Sequence, residues 1–321
     1  VWVSILWEGI YRFDGTSWQE IDKVNCGIVA DIALEADGTP WVATTGGTHY
    51  PGGCLSYFDG DTWTEVAGGR GLAPIAAIAP GAEGVVAAGT NLGLQIYQGG
   101  KWHLMKDGPS YDRATSVAVT PDGAAWFAFG DHSSSTHDPG VSRFDGQSWQ
   151  YFLDEVEVSA LATAPDGSLW AGAGCGVRRF DGVTWEMVAQ CEKDLPLGNI
   201  LGISFTPDGA AWVANGFSLA HFDGRSWTVY EKLADSLVAA PDGAIWINGW
   251  EGLQGSFYVA RIDGENWTTF PTSDSFPGGF RVSAATADGC VWGITERGLT
   301  CFDGQSWTDS QSWTFYPIPD T

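Results

Sequence analysis

Basic side chains are scarce in this 321-residue sequence: 15 Lys and Arg stand against 39 Asp and Glu, a net charge of −24. Nucleic acid and anionic membranes are bound through basic patches, so neither is an expected partner. Long apolar runs are missing too, and no stretch of about 18 apolar residues is present to insert in a membrane as a helix. No Cys-x-x-Cys occurs, which argues against a zinc or redox site of that type. Nucleophile-elbow, HExxH and glycine-rich phosphate-loop motifs are also absent, so no catalytic residue and no cofactor is assigned. Only 5 His are available for acid–base or metal chemistry.

Glycine (44) and tryptophan (18) are abundant, and their placement is periodic. Phe144-Asp145-Gly146-Gln147-Ser148-Trp149 returns as Phe13-Asp14-Gly15 with Trp18, Phe58-Asp59-Gly60 with Trp63, and Phe180-Asp181-Gly182 with Trp185. Phe222-Asp223-Gly224 with Trp227, Ile262-Asp263-Gly264 with Trp267, and Phe302-Asp303-Gly304 with Trp307 continue the series. Tyr97-Gln98-Gly99 with Trp102 is a degenerate eighth copy. The period of about 41 residues is that of stacked or radial repeats. A second motif alternates with the first. Asp37-Gly38, Asp122-Gly123, Asp166-Gly167, Asp208-Gly209, Asp242-Gly243 and Asp288-Gly289 each precede a Trp by the same spacing, with Glu83-Gly84 as a weak copy. Of the 39 acidic residues, 13 belong to these two Asp-Gly motifs, so much of the acidity is turn chemistry.

Each repeat therefore predicts four short strands. Strand A is a small-residue run, an Asp-Gly turn leads to strand B, a variable loop to strand C, and a second Asp-Gly turn to strand D. The turn residues are expected at positive φ, which glycine accepts without steric cost. Four antiparallel strands per repeat predict an all-β, eight-bladed β-propeller, one domain over residues 1–321, with its ring closed near the termini. The blades are expected at about 1–22, 28–66, 74–105, 114–152, 157–188, 199–231, 235–270 and 280–309. The tail, 310–321, is a candidate closing strand for blade 1; in a rival reading Trp313 lies on strand D of blade 8. The tryptophans of strands B and D are expected to pack between neighbouring blades.

The repeat resembles the two-component-regulator propeller repeat found in periplasmic sensor domains. The resemblance rests on Leu195-Pro196-Leu197-Gly198-Asn199-Ile200, then Pro207-Asp208-Gly209-Ala210-Ala211-Trp212-Val213-Ala214. It implies an extracytoplasmic propeller that senses or binds a ligand. The six cysteines form three sequence-close pairs, Cys26 with Cys54, Cys175 with Cys191, and Cys290 with Cys301, the last across one predicted hairpin. Read as disulfides, they point to an extracellular or periplasmic protein.

In a propeller the A–B and C–D turns share one face and the B–C and D–A loops the other. Here the first face is monotonous and the second carries the irregular loops, where binding is usually placed. His49 and Tyr50 lie in one such loop. Trp7-Glu8 and Trp250-Glu251 are expected at the same loop position of blades 1 and 7, with Glu296 and Arg297 between them. An indole beside a carboxylate suits a sugar, by stacking and hydroxyl hydrogen bonds. Asp131, His132, His137 and Asp138 form a symmetrical set that could ligate zinc, and calcium is the other candidate ion for so acidic a chain. The expected function is non-catalytic binding of a glycan or protein partner through this face. The alternatives are a carbohydrate-active hydrolase or lyase using carboxylates there, and a subunit of a surface assembly.

Overall fold

The computed structural model describes residues 2–5, 9–13, 18–21, 29–35, 39–44, 53–68, 75–80, 86–90, 93–98, 101–105, 114, 116–129, 139–154, 156–196, 198–250, 257–271, 281–285, 291–295, 298–302 and 313–315. Every helix or strand among them is a β-strand. The chain divides into two compact units, residues 1–163 and 164–321.

In the first unit, β1 (Trp2–Ile5), β2 (Gly9–Phe13) and β3 (Trp18–Ile21) form a three-stranded sheet. A four-stranded sheet follows: β4 (Val29–Leu34), β5 (Pro40–Thr44), β6 (Cys54–Phe58) and β7 (Trp63–Gly68). The next comprises β8 (Ile75–Pro80), β9 (Val86–Thr90), β10 (Gly93–Gln98) and β11 (Lys101–Leu104). Then come β12 (Ser116–Val119), β13 (Ala125–Ala128), β14 (Pro139–Phe144) and β15 (Trp149–Asp154), and the unit ends with β16 (Val158–Thr163).

The second unit opens with β17 (Leu169–Ala173), β18 (Gly176–Phe180) and β19 (Trp185–Gln190), paired in that order. Two four-stranded sheets follow. The first is β20 (Gly202–Phe205), β21 (Ala211–Ala214), β22 (Leu219–Phe222) and β23 (Trp227–Tyr230). The second is β24 (Ser236–Ala239), β25 (Ile245–Trp250), β26 (Phe257–Asp263) and β27 (Asn266–Pro271). The last sheet is β28 (Arg281–Ala285), β29 (Val291–Thr295), β30 (Gly298–Phe302) and β31 (Trp313–Phe315). The described pairings are antiparallel between sequence neighbours, as the Asp-Gly spacing predicts.

The turns differ from expectation in one physical respect: only the glycine takes positive φ. Among the described residues Leu153 and Glu192 are the only others at positive φ, and no Asp-Gly aspartate is. In the β12–β13 turn Gly123 sits at φ +81° and donates to the Thr120 carbonyl at 2.8 Å, while Thr120 N–H donates to Ala124 at 3.0 Å. That is a type I turn with glycine in the left-handed position, and Pro121 fits its second position. The aspartate acts through its side chain instead. Asp145 Oδ1 accepts the N–H of Gln147 at 2.9 Å and of Ser148 at 2.8 Å. Asp59, Asp181 and Asp223 repeat the arrangement. Those N–H groups hold each of these carboxylates below its usual range.

Packing between sheets uses both tryptophan sets. The second-strand indoles Trp41, Trp126, Trp170, Trp212 and Trp246 are buried, while Trp63, Trp149, Trp185, Trp227 and Trp267 on last strands are half-buried. Among the described residues, four F-D-G-x-x-W motifs pair their own ends: Phe144 and Trp149 lie 5.0 Å apart, Phe222 and Trp227 5.0 Å, with Phe58–Trp63 and Phe180–Trp185 alike. Trp170 meets Phe205 edge-on at 5.4 Å and Phe222 at 5.9 Å, both on the following sheet. Side-chain oxygens also bond successive first strands. Asp31 accepts from Ile78 N–H at 2.9 Å, Ser116 from Leu161 at 3.1 Å, and Ser204 from Ala239 at 3.2 Å. Small residues on these strands let the backbones approach closely enough for such bonds.

Of the two readings left open for the tail, the pairing of Trp313 with Phe302 favours the one that puts Trp313 on a last strand: β31 ends the β28–β31 sheet. Trp307, the motif tryptophan of that repeat, lies outside the described residues. One sequence expectation is corrected here. Trp250 is not in a loop: β25 runs through it, opposite Phe257 on β26.

Candidate functional site at the turn after strand β21

Among the described residues, the Asp-Gly end of the meanders and the end at the β21–β22 turn differ in chemistry. At the Asp-Gly end, Arg143 on β14 reaches Asp122 at 2.8 Å and Asp145 at 3.8 Å. Arg179 on β18 reaches Asp166 at 2.8 Å, and Arg261 on β26 reaches Asp242 and Asp263, both at 2.9 Å. In β22 the equivalent residue is His221, which stacks on Trp212 at 4.4 Å. Burial pushes its pKa down, against the pull of Asp223 and Asp208. Arg143 and Arg261 each tie the two aspartate turns of their own sheet together, and Arg179 pairs with Asp166 and, at 3.8 Å, with Glu186, so these carboxylates are already committed. The sequence signal of these side chains is a basic residue or histidine directly before the motif, as at Arg143, Arg179, His221 and Arg261.

At the other end the β21–β22 connection is only Asn215-Gly216-Phe217-Ser218. Asn215 Oδ1 accepts three bonds, from Phe217 N–H at 3.1 Å, Ser218 N–H at 2.8 Å and Ser218 Oγ at 3.0 Å. Its Nδ2 donates to the Pro196 carbonyl at 3.1 Å, tying the turn to the segment before β20. Gly216, at φ +79°, donates to the Ala234 carbonyl at 3.2 Å, tying it to the segment after β23. The turn is thus fixed on both flanks. Its tip side chain, Phe217, is nevertheless 66% exposed. Leu201, 54% exposed, lies against the same turn: a Cβ on Gly216 would stand 3.2 Å from Leu201 Cδ1. Among the described residues three other large apolar side chains are exposed. Tyr151 and Met187 lie on last strands and Val183 in an Asp-Gly turn.

Sequence reasoning did not single out Phe217. Its signal was an aromatic outside both repeat motifs, next to an Asn-Gly pair that makes a tight turn. Of the predicted binding residues, Trp7, Glu8, His49, Tyr50, Glu251, Glu296 and Arg297 lie outside the described residues, as do Asp131, His132, His137 and Asp138 of the predicted metal loop. Among the described residues no group of three His, Cys, Asp or Glu is arranged to hold a metal. Cys54 is disulfide-bonded, and Cys26, its expected partner, lies outside the described residues. Cys175 and Cys191, expected as a disulfide, are both free thiols, though adjacent. Cys301 stands opposite Trp292 in the ladder, and Cys290 lies outside the described residues.

No protein-family model matches the chain, and no curated protein matches it. Solved structures do. A catalytically inactive histidine-to-alanine variant of virginiamycin B lyase from Staphylococcus aureus, with quinupristin, superposes with a TM-score of 0.60 at 15% identity, over 88% of this chain and 96% of that one. YCF48 bound to D1 peptide matches with a TM-score of 0.56 at 16% identity, over 89% and 96%. The chain has a β-propeller fold. PorZ, a bacterial surface component of the type-IX secretion system of Porphyromonas gingivalis, matches with a TM-score of 0.58 at 14% identity, over 92% of this chain and 50% of its own. At such identities the likeness is one of fold. It carries the propeller repeat expected from the sequence and not the narrower two-component-regulator family.

Proposed function

We propose that this chain is an extracytoplasmic, eight-bladed propeller that binds a protein partner without catalysis, through the end opposite the Asp-Gly turns. The observation that carries the reading is Phe217: a large aromatic held in water by a turn whose polar groups bond within it and to the segments on both flanks. Exposing a phenyl ring on a pre-ordered turn forgoes burial energy but removes the ordering cost of binding, which is how interface anchors work. Leu201 against the same turn extends the apolar contact, favouring an apolar side chain of a protein segment over a sugar hydroxyl face. The disulfide at Cys54 supports an oxidising compartment.

The test is selection of a displayed random-peptide library on the purified chain, beside a glycan array, with Phe217→Ser and Leu201→Ser variants as controls. Enriched peptides that bind the native chain and lose about tenfold or more on Phe217→Ser would support the site. Peptides indifferent to both variants would overturn it. Glycan binding in place of peptide binding would return the site to the loops holding Trp7, Glu8 and Glu251.

A further inference from the structure

Cys175 and Cys191 meet at the same end as the candidate site. Cys175, exposed, lies in the short turn between β17 and β18, and Cys191, buried, follows β19. The Cys191 N–H donates to the Cys175 carbonyl at 3.0 Å, and the two thiols are neighbours. Burial, and then Cys175, push the Cys191 thiol up to about 12, so at neutral pH it is protonated and Cys175 is the accessible nucleophile.

The backbone N–H of Gly198 lies near the Cys191 sulfur and partly offsets the rise. Gly198, at φ +152°, lies directly under the candidate site: a Cβ there would stand 3.0 Å from Phe217 Cδ2 and 3.1 Å from the Asn215 carbonyl. Between them, Pro196 accepts the Asn215 side-chain bond. The segment after Cys191 is also tightly folded, with Glu192 at positive φ and its N–H bonded to Leu195 at 2.8 Å. A covalent change at the Cys191 sulfur is therefore two residue contacts away from the exposed phenyl ring.

We propose that Cys175 and Cys191 are a reversible dithiol–disulfide pair that controls the rigidity of the Phe217 turn. The oxidant class is a low-molecular-weight disulfide such as glutathione disulfide. The Cys175 thiolate attacks one of its sulfurs, forming a mixed disulfide and releasing one glutathione thiolate, which takes up a proton. Once Cys175 is capped, it no longer opposes ionisation of Cys191, and burial is the main cost left to that step. Cys191 loses its proton to solvent and attacks the Cys175 sulfur, expelling the second glutathione. Two protein thiols are oxidised and one glutathione disulfide is reduced to two thiols. The bond staples the β17–β18 turn to the segment beneath Phe217. Its bearing on binding rests on the reading of Phe217 as the contact residue; the bond itself does not.

The native chain is equilibrated across a series of reduced and oxidised glutathione, acid-quenched, alkylated and peptide-mapped, and hydrogen exchange is measured at Gly198, Phe217 and Ser218. The expected result is a Cys175–Cys191 cross-linked peptide that appears and disappears with the ratio, with exchange at the three amides slowed by about tenfold in the oxidised form. In Cys175→Ser the slowing is absent although the fold is kept. Two fully alkylated thiols across the whole series would overturn the proposal. So would a cross-link that leaves exchange unchanged. A responsive cross-link and exchange combined with peptide binding indifferent to Phe217→Ser would instead discard the binding reading and leave the thiol pair standing.

Discussion

The indole N–H of Trp227 donates to the carbonyl of Val188 at 3.0 Å, joining the last strand of one sheet to the last strand of the sheet before it. The same ring packs against Phe222 across its own hairpin. The motif tryptophan thus closes its hairpin with one face and sews sheets together with one atom. Trp227→Phe keeps the first role and loses the second, so a loss of about 1 kcal/mol in urea unfolding is expected. Trp227→Ala loses both and should cost about 3 kcal/mol.

His221 occupies the place of Arg143, Arg179 and Arg261 in its own sheet. Its folded pKa is depressed, chiefly by burial, so the unfolded chain binds the proton more tightly. Stability from this group is present at pH above about 6.5 and is lost as pH falls from there toward the folded value. His221→Arg places a permanent cation near Asp208 and Asp223. It should remove that step and add up to about 1 kcal/mol. Urea midpoints at pH 5 and pH 7.5 check this: the gap between variant and native chain should widen at the lower pH.

Asp31 has the opposite sign. Burial raises its pKa, and the N–H groups of Ile78 and Ile32 only partly offset it. The folded state therefore binds the proton more tightly, and the ionised side chain is a cost at neutral pH that is relieved as pH falls through the folded value. Asp31→Asn retains an acceptor for the Ile78 N–H without the charge. The variant should melt higher than the native chain at pH 7, and the difference should vanish below about pH 4.

Gly249 on β25 allows the segment after β23 to cross it. A Cβ at that position would stand 1.6 Å from the Leu233 carbonyl oxygen, the same oxygen that accepts the Tyr258 hydroxyl at 2.8 Å. Backbone cannot yield as a side-chain tip can. Gly249→Ala should cost about 2–3 kcal/mol in urea unfolding, and Tyr258→Phe, which leaves only the acceptor unpaired, about 1 kcal/mol.

The repeat, its strands and the positions of its hairpins were determined by the sequence alone, because they depend on local chemistry. Glycine at one turn position, alternating apolar residues and a periodic tryptophan each act within about six residues of chain. The same locality misled where a feature depended on a neighbour. The aspartates looked like residues needing an unusual backbone, yet they serve as acceptors for the following N–H groups. Trp250 looked like a loop residue until pairing with Phe257 extended the strand. Only tertiary structure decided which aromatics face water. Trp41, Trp126, Trp170, Trp212 and Trp246 are buried by packed neighbours, some of them on the next sheet, whereas Phe217 is held out by Asn215, Pro196 and Ala234, brought together from two flanking segments. Which thiols touch was decided in the same way. Cys175 and Cys191 are 16 positions apart in the chain, and it is the folding of the segment after β19 against the β17–β18 turn that brings them into contact.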